Sequence, residues 1–445
     1  MKKVFRFSSV IISLGLSLSG SQFFAQEKKI QIDKTTVKQV IQSIDTIIQR
    51  NYVYPDKAIL IMKFLNEQYK KGKYKDLTDP HEFSGKLTKD IRSIQDDKHL
   101  RIEYDPRLEK DIIRFNSPDS DKNKITEADI AKEKLLNFYF KKLEILPSNI
   151  GYMEFTNFAL PSEEAEKIIH SAMQFLSNTD ALIIDLRNNR GGNGESNNIL
   201  GYFFSTRTKT GRSFNRIKNI WTDHFVENND KTKDLQMKMP VYLLTGKKTF
   251  SAAEGFAYIL QTLRNAKVIG NPTRGGAHLT RSFSLSNGFV AFIPYLCSEN
   301  EKTKTDWEGT GVIPDLQSDS PLISAQIEIL NNKFAAAGDQ EKPKIQWLIR
   351  YHQSQISNIK IDIARLDQYT GRFAEFEITK QNNQLHFRDV NQPDKTTFPM
   401  IPISQTLFQV GGDYQLEFIN QSGNQFQAVN VSWSDGWTEK INRNP

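Results

Sequence analysis

Residues 181–194 read ALIIDLRNNRGGNG. Ala181, Leu182, Ile183 and Ile184 form an unbroken apolar run that stops at Asp185. A strand with one wet face alternates apolar and polar residues. An unbroken run fits a strand buried on both faces, as in a parallel sheet covered by helices. Beyond Asp185 the chain enters a glycine-rich turn through Gly191, Gly192 and Gly194, and a helix is expected from about Glu195. A turn of this kind exposes backbone N–H groups, which can hold an anion or a developing oxyanion. It is not a Walker loop, because no Gly-Lys-Ser/Thr follows, and its glycine spacing is not that of a dinucleotide fingerprint.

The same rhythm extends on both sides. Gly151–Phe155 is a strand candidate. Ser162 is placed to cap a helix running to Leu176, with Glu163 and Glu164 in the favourable first turn. Pro240–Leu244, Ala266–Ile269 and Phe289–Tyr295 are further strand candidates. Ala252, Phe256, Ile259, Leu260 and Leu263 make one apolar helical stripe. This β-α-β alternation predicts an α/β core with a substantially parallel sheet.

With 445 residues the chain is long enough for two or three domains. The core is assigned to residues 105–338. Residues 26–104 read as a small helical domain. Val37, Ile41, Ile44, Ile47 and Ile48 recur at helical spacing, a break follows at Tyr52-Val53-Tyr54-Pro55, a second helix runs through Ile61, Phe64 and Leu65, and a third covers His81–Ile94. The polar stretch 105–147 reads as a link, with an exposed loop at Asn116–Asn123. Residues 339–361 read as a polar, partly helical linker. Residues 362–445 are expected to be a small antiparallel β barrel or sandwich, with strands at Phe373–Ile378, Gln384–Phe387, Leu407–Val410, Tyr414–Ile419 and Phe426–Trp433.

The N-terminus carries the marks of an export signal. Lys2, Lys3 and Arg6 precede the apolar run Val10–Leu18, which is too short to span a bilayer, and Ala25 offers a cleavage position. A signal peptide at 1–25 and a periplasmic or secreted protein with no integral membrane segment are therefore expected. The formal charge of +7 falls to +4 once those residues are removed, which does not argue for nucleic acid. Cys297 is the only cysteine, so no internal disulfide exists. Its place after the apolar run Phe292–Leu296 predicts a buried, inert thiol. No His-Glu-x-x-His or cysteine cluster occurs, so neither metal nor cofactor is expected.

Four stretches could carry chemistry. Ser251 follows an apolar strand and a polar turn and stands at the start of a helix, where free N–H groups and the dipole stabilise an oxyanion; serines there are also ordinary caps. The glycine turn at 191–194 could donate a second N–H. His99, in Asp97-Lys98-His99-Leu100, has the side chain suited to a serine's general base. Glu308, in Trp307-Glu308-Gly309-Thr310-Gly311, could be a buried orienting carboxylate or a plain loop charge.

Together these stretches resemble the C-terminal processing (tail-specific) peptidase family, which includes the tricorn protease core and the modules of interphotoreceptor retinoid-binding protein. The resemblance runs from about Ile41 to Leu330. It rests on the Tyr54-Pro55 break, Asp-x-His-Leu at 97–100, Leu146–Tyr152, Asp185-Leu186-Arg187-x-Asn189-x-Gly191-Gly192, Ser251-Ala252-Ala253-Glu254 and Gly309-x-Gly311-Val312-x-Pro314-Asp315. It implies a core sheet of the crotonase/ClpP kind and an endopeptidase or carboxy-terminal processing peptidase acting on peptides or unfolded proteins.

Processing peptidases of the family use a serine–lysine dyad, and Gly276 stands where that lysine would be. The tricorn-like and retinoid-binding-like branch places a histidine at the position of His99 and a glutamate at that of Glu308. The resemblance thus implies Ser251 as nucleophile, His99 as base, Glu308 as its partner, and an oxyanion hole from Ala252 with Gly191 or Gly192. Lys98 replaces the serine that bridges histidine and glutamate in tricorn, so the relay is shorter or replaced. Residues 105–147 are too few and too polar for the family's PDZ domain. His278 is a rival base, with Lys247 and Lys248 behind it. A non-catalytic protein binding apolar ligands or peptides on the same fold is the alternative function. No Gly-x-Ser-x-Gly occurs, which counts against an α/β-hydrolase esterase.

Overall fold

The computed structural model describes residues 30–115, 125–192, 194–227, 230–392 and 396–445. The signal segment at 1–25, the loop at 116–123 and Asn193 lie outside them.

The apolar run at 181–184 is the centre of a six-stranded sheet. Its order is Leu316–Gln317, Lys267–Gly270, Val241–Thr245, Ala181–Asp185, Ile150–Phe155 and Phe140–Leu146. All neighbours are parallel except the Phe140–Leu146 edge, which is antiparallel. Every residue of Ala181–Asp185 is buried because each face has its own cover. Leu182, Ile184, Leu243 and Val268 pack under the helices Glu163–Leu176 and Ala252–Arg264. Ile183, Leu244 and Ile269 pack under Pro321–Ala336 on the other side. Ser162 caps its helix as expected, accepting from Ala165 N at 3.2 Å.

Phe289–Tyr295 does not join this sheet. It lies in the long strand Phe289–Asn300 at the heart of a second, antiparallel sheet with Arg101–Tyr104, Thr208–Asn215, Ile220–Val226 and Leu279–Ser286. The physical reason is the turn at Ser286, Asn287 and Gly288, whose φ values of 74°, 58° and 85° reverse the chain into a hairpin. The N-terminal helices Lys34–Asn51, Pro55–Lys70 and Pro80–Ile94 bury their apolar stripes on this second sheet. Val40, Ile44, Leu65, Phe83 and Leu87 share one core with Leu285, Phe289, Ala291 and Ile293. The helical region and the core are thus joined by a common apolar interior, and His99 leaves the helices to enter the strand Arg101–Tyr104 at that seam.

The stretch 105–147 is more ordered than its polarity suggested. It carries helices Pro106–Phe115 and Glu127–Leu135 and the edge strand Phe140–Leu146. The stretch 339–361 likewise contains Lys342–Gln355, whose Ile345 and Ile349 pack on Leu330. Trp347 also bonds the β region: its carbonyl accepts from Gln415 Nε2 at 2.9 Å.

Residues 371–442 form an eight-stranded antiparallel meander. It nearly closes on itself, since Asn444 N donates to Arg372 O at 2.8 Å. The expected strand Phe373–Ile378 is in fact a tight hairpin, broken at Ala374 with φ of 50°. Strands Phe398–Pro402 and Thr438–Asn442 carry too little apolar alternation to have been read from the sequence. The interior holds Tyr369, Phe373, Phe387, Phe408 and Phe418, so the aromatics there are core. Among the described residues no helix is long and apolar enough to cross a membrane.

Candidate active site

The strand Val241–Thr245 ends in a turn that delivers Ser251 to the first residue of the helix Ala252–Arg264. Ser251 has φ 55° and ψ −120°, a conformation that costs an L-residue about 1–3 kcal/mol and survives only where the surroundings enforce it. Thr249 is fully buried and its hydroxyl donates to Leu186 O at 2.7 Å. Phe250 N donates to Asn189 O at 3.1 Å. Ser251 N donates to Glu254 Oε2 at 2.7 Å. The side chain of Ser251 is half-buried at the surface these bonds create.

The glycine turn presses against the same residue. Asn189 is fully buried; its amide donates to Phe155 O at 3.1 Å and its oxygen accepts from Gly191 N at 2.9 Å. Gly191 has φ 98°, and a Cβ there would lie 3.0 Å from both Ala252 N and Ser251 Cβ. Gly192 has φ 130°, and a Cβ would lie 2.3 Å from Phe158 O. Glycine is required at both for conformation and for space. Ala252 N has no hydrogen-bond partner among the described residues. The N–H of Gly191 is committed to Asn189, so this glycine shapes the pocket and does not offer a free donor.

His99 is buried and its ring lies on that of Phe250, with centroids 4.5 Å apart. Arg274 also lies over the Phe250 ring. No hydrogen bond joins the His99 ring to the Ser251 hydroxyl, and His99 Nδ1 is buried with no partner. Burial lowers its pKa to about 4, against the upward pull of the Asp97 charge. Gly276 makes room for this ring: a Cβ there would lie 2.7 Å from His99 Cε1 and 2.2 Å from Phe250 Cε2. No side chain, lysine included, fits position 276 while His99 and Phe250 hold these places.

Glu308 sits beside His99 but not on its ring. Its oxygens accept from Lys98 N at 3.4 Å, Ala277 N at 2.6 Å and His278 N at 3.3 Å. It holds the backbone that carries His99 and that of the facing loop. The Lys98 side chain turns away to Asp96, so it takes no part in a relay.

The carboxylates meet a different histidine. His278 Nδ1 lies 2.7 Å from Asp97 Oδ2 and 3.5 Å from Glu308 Oε2, and its Nε2 lies 3.2 Å from Tyr54 Oη and 3.6 Å from Asp306 Oδ2. Burial opposes its charge, but Asp306, Asp97 and Glu308 together raise its pKa to about 10. Burial and the Asp97 charge push Glu308 up to about 7. Asp97 also accepts from Tyr52 Oη and from His99 N. One ligand atom each of Asp97, His278 and Glu308 lie within 4.8 Å of one another, as in a metal site. The imidazolium already supplies positive charge there, and protein donors occupy the carboxylate oxygens, so the set does not fit a metal. Lys247 and Lys248 are exposed in the turn. Cys297 is half-buried, and burial raises its thiol pKa to about 11.

Glu254 is a further residue of the site. Besides Ser251 N, it accepts from Thr273 Oγ1 at 2.5 Å, Gly275 N at 2.6 Å and Gly276 N at 2.9 Å. Burial raises its pKa against these four donors. It locks the serine turn to the loop that bounds His99. The Ser-x-x-Glu spacing of a capping box was the available signal.

The profile of "Peptidase family S41" matches residues 149–318, the stretch holding Ser251, the glycine turn and Glu308. That of "N-terminal domain of Peptidase_S41 in eukaryotic IRBP" matches residues 21–147, which hold His99. The chain thus carries, over residues 149–318, a stretch that matches peptidase family S41, preceded by one that matches the N-terminal domain of that family. A relative from Staphylococcus aureus (strain N315), named "Probable CtpA-like serine protease", is 24% identical over 224 residues, 48% of this chain and 40% of the relative. "Carboxyl-terminal-processing peptidase 2, chloroplastic" of Arabidopsis thaliana is 28% identical over 170 residues, 37% of this chain and 31% of that one. The chain therefore spans well under two thirds of the length of either relative. Among solved structures, the photosystem II D1 C-terminal processing protease aligns with a TM-score of 0.42 at 15% identity, covering 66% of this chain and 95% of that one. The tricorn protease aligns at 0.41 and 12%, covering 72% and 37%.

Proposed function

We propose that this chain is a serine peptidase that cleaves peptide or unfolded-protein substrates through an acyl-enzyme. Ser251 is the nucleophile and His99 the base, and the oxyanion is held by the N–H groups of Ala252 and Gly192. The observation that carries the reading is the strained backbone of Ser251, enforced from three sides at a helix N-terminus. A packing residue has no use for that strain.

In the reaction the His99 ring leaves Phe250 and bonds the Ser251 hydroxyl, a contact that in resting enzymes often forms only with substrate. The serine oxygen attacks the peptide carbonyl while His99 takes its proton. His99 returns that proton to the leaving amine, and water then releases the acyl group. Glu308 is a positioning residue in this scheme, acting through Lys98 N and the 277–278 backbone. Export follows from the residue pattern at 1–25, and the bounds 26–104, 105–338 and 362–445 follow from the changes of pattern along the chain.

One observation favours the non-catalytic alternative, the missing bond between His99 and Ser251. A serine-reactive fluorophosphonate probe separates the two readings. Wild type should be labelled at Ser251, and Ser251→Ala should lose both label and turnover of an unfolded protein substrate. Label that persists in Ser251→Ala refutes the nucleophile.

A further inference from the structure

A cleft of about 400 Å³ lies beside the glycine turn. It is lined by Lys141, Arg190 and Lys248, with Tyr139, Asn157 and Asn188 between them. The backbone of the proposed site fixes two of these cations. Asn189 points inward to bond Phe155 O and Gly191 N, so its neighbours Asn188 and Arg190 are turned outward. Arg190 N is pinned to Thr156 O at 3.2 Å. Lys248 stands on the turn that leads to Ser251, and Lys141 on the edge strand Phe140–Leu146.

Among the described residues, none of the three cations has an ion pair or side-chain hydrogen bond, and no carboxylate lines the cleft. Other cations of the same sheet are paired: Arg187 with Asp185 and Lys142 with Glu144. Like charges gathered round one concavity repel each other and raise the local concentration of anions. The neutral amides of Asn157 and Asn188 add donors suited to a carboxylate's lone pairs.

We infer that this cleft is a substrate subsite that holds a carboxylate of the bound peptide, either its chain-terminal carboxylate or an acidic side chain, next to the bond that is cut. The inference rests on the peptidase reading, and its test is a binding measurement that needs no turnover.

The full chain carrying Ser251→Ala is titrated against rhodamine-labelled decapeptides that differ only in charge: one neutral with an amidated end, one with a free C-terminal carboxylate, and one amidated with a single glutamate. At least one carboxylate peptide should bind about tenfold or more tighter than the neutral one. That advantage should shrink as salt rises and vanish when Lys141→Gln, Arg190→Gln and Lys248→Gln are combined. Which peptide gains identifies the source of the carboxylate. Equal binding of all three, no binding of any at millimolar concentration, or an advantage that survives the triple change overturns the subsite. The same triple change on a Ser251 background should still take the fluorophosphonate label. Label on wild type with no carboxylate preference in the Ser251→Ala chain removes the subsite alone. Preference in the Ser251→Ala chain with no label on wild type removes the peptidase alone.

Discussion

His99 and His278 are both buried in the seam between the N-terminal helices and the core, yet their surroundings drive them in opposite directions. His99 rests on an aromatic ring, with an unpartnered Nδ1, and burial holds its pKa at about 4. His278 is enclosed by Asp97, Asp306 and Glu308 and stays protonated to about pH 10 despite burial. The contrast teaches that a histidine's chemistry is set by whether carboxylates reach its ring nitrogens or only its backbone. Asp97 serves both residues: one oxygen accepts from His99 N, the other faces the ring of His278. A neutral ring can take a proton from a serine, whereas an imidazolium clamped by carboxylates cannot. This is why His99 is assigned the base and His278 is not.

The largest effect expected from breaking this contrast is at His99. His99→Gln keeps most of the side-chain volume on Phe250 and removes the base. It should lower kcat/KM about 10²–10⁴-fold, with little change in the thermal unfolding midpoint. Because the ring must be neutral to act, the acid limb of the wild-type rate profile should fall near pH 4, well below the ordinary histidine value of 6.5. A limb at pH 6–7, or unchanged turnover in His99→Gln, would show that another group is the base.

A smaller loss is expected from Gly276→Ala. The added methyl would lie 2.2 Å from Phe250 Cε2 and 2.7 Å from His99 Cε1, so one ring must move. Overpacking of this kind costs about 1–3 kcal/mol, and the displaced base should lower kcat/KM about 10-fold to 10²-fold. Activity at the wild-type level would mean that the resting place of His99 on Phe250 is not the position from which its ring swings to Ser251.

How much of this was legible in the sequence depends on the kind of interaction. The parallel sheet was readable because burial on both faces writes itself into consecutive residues, as at 181–184. Ser251, His99 and the two glycines could be named because their types and order match a family pattern. The role of Glu308 was not readable. Its target is set by which N–H groups two distant loops bring to it, and the chain gives no local sign that these are Lys98 N and Ala277 N. The same holds for Gly191, whose N–H is spent on the neighbouring Asn189 side chain. The antiparallel strand Phe289–Asn300 was misplaced because a short apolar run carries no information about its partners, although Ser286-Asn287-Gly288 signalled the hairpin that decided it.

The smallest effect on turnover, and the sharpest test of the contrast, is at His278. His278→Gln touches no reacting atom, so kcat at pH 7 should change by less than about tenfold in the folded enzyme. Its effect is on stability. Removing the cation leaves Asp97, Asp306 and Glu308 facing one another across a buried space, a loss on the order of 3–5 kcal/mol. The pH dependence fixes the sign. A histidine raised from 6.5 in the unfolded chain to about 10 in the fold contributes stability that is complete below pH 6.5 and is lost as pH rises through 10. His99, lowered to about 4, contributes the reverse: stability present above pH 6.5 and lost as pH falls through 4. Urea unfolding of wild type should therefore weaken between pH 7 and 10, and His278→Gln should flatten that alkaline slope while leaving the acid slope in place. An alkaline slope that survives the substitution would mean that His278 is neutral in the fold, and that the carboxylates around it hold their charge, or their protons, by another means.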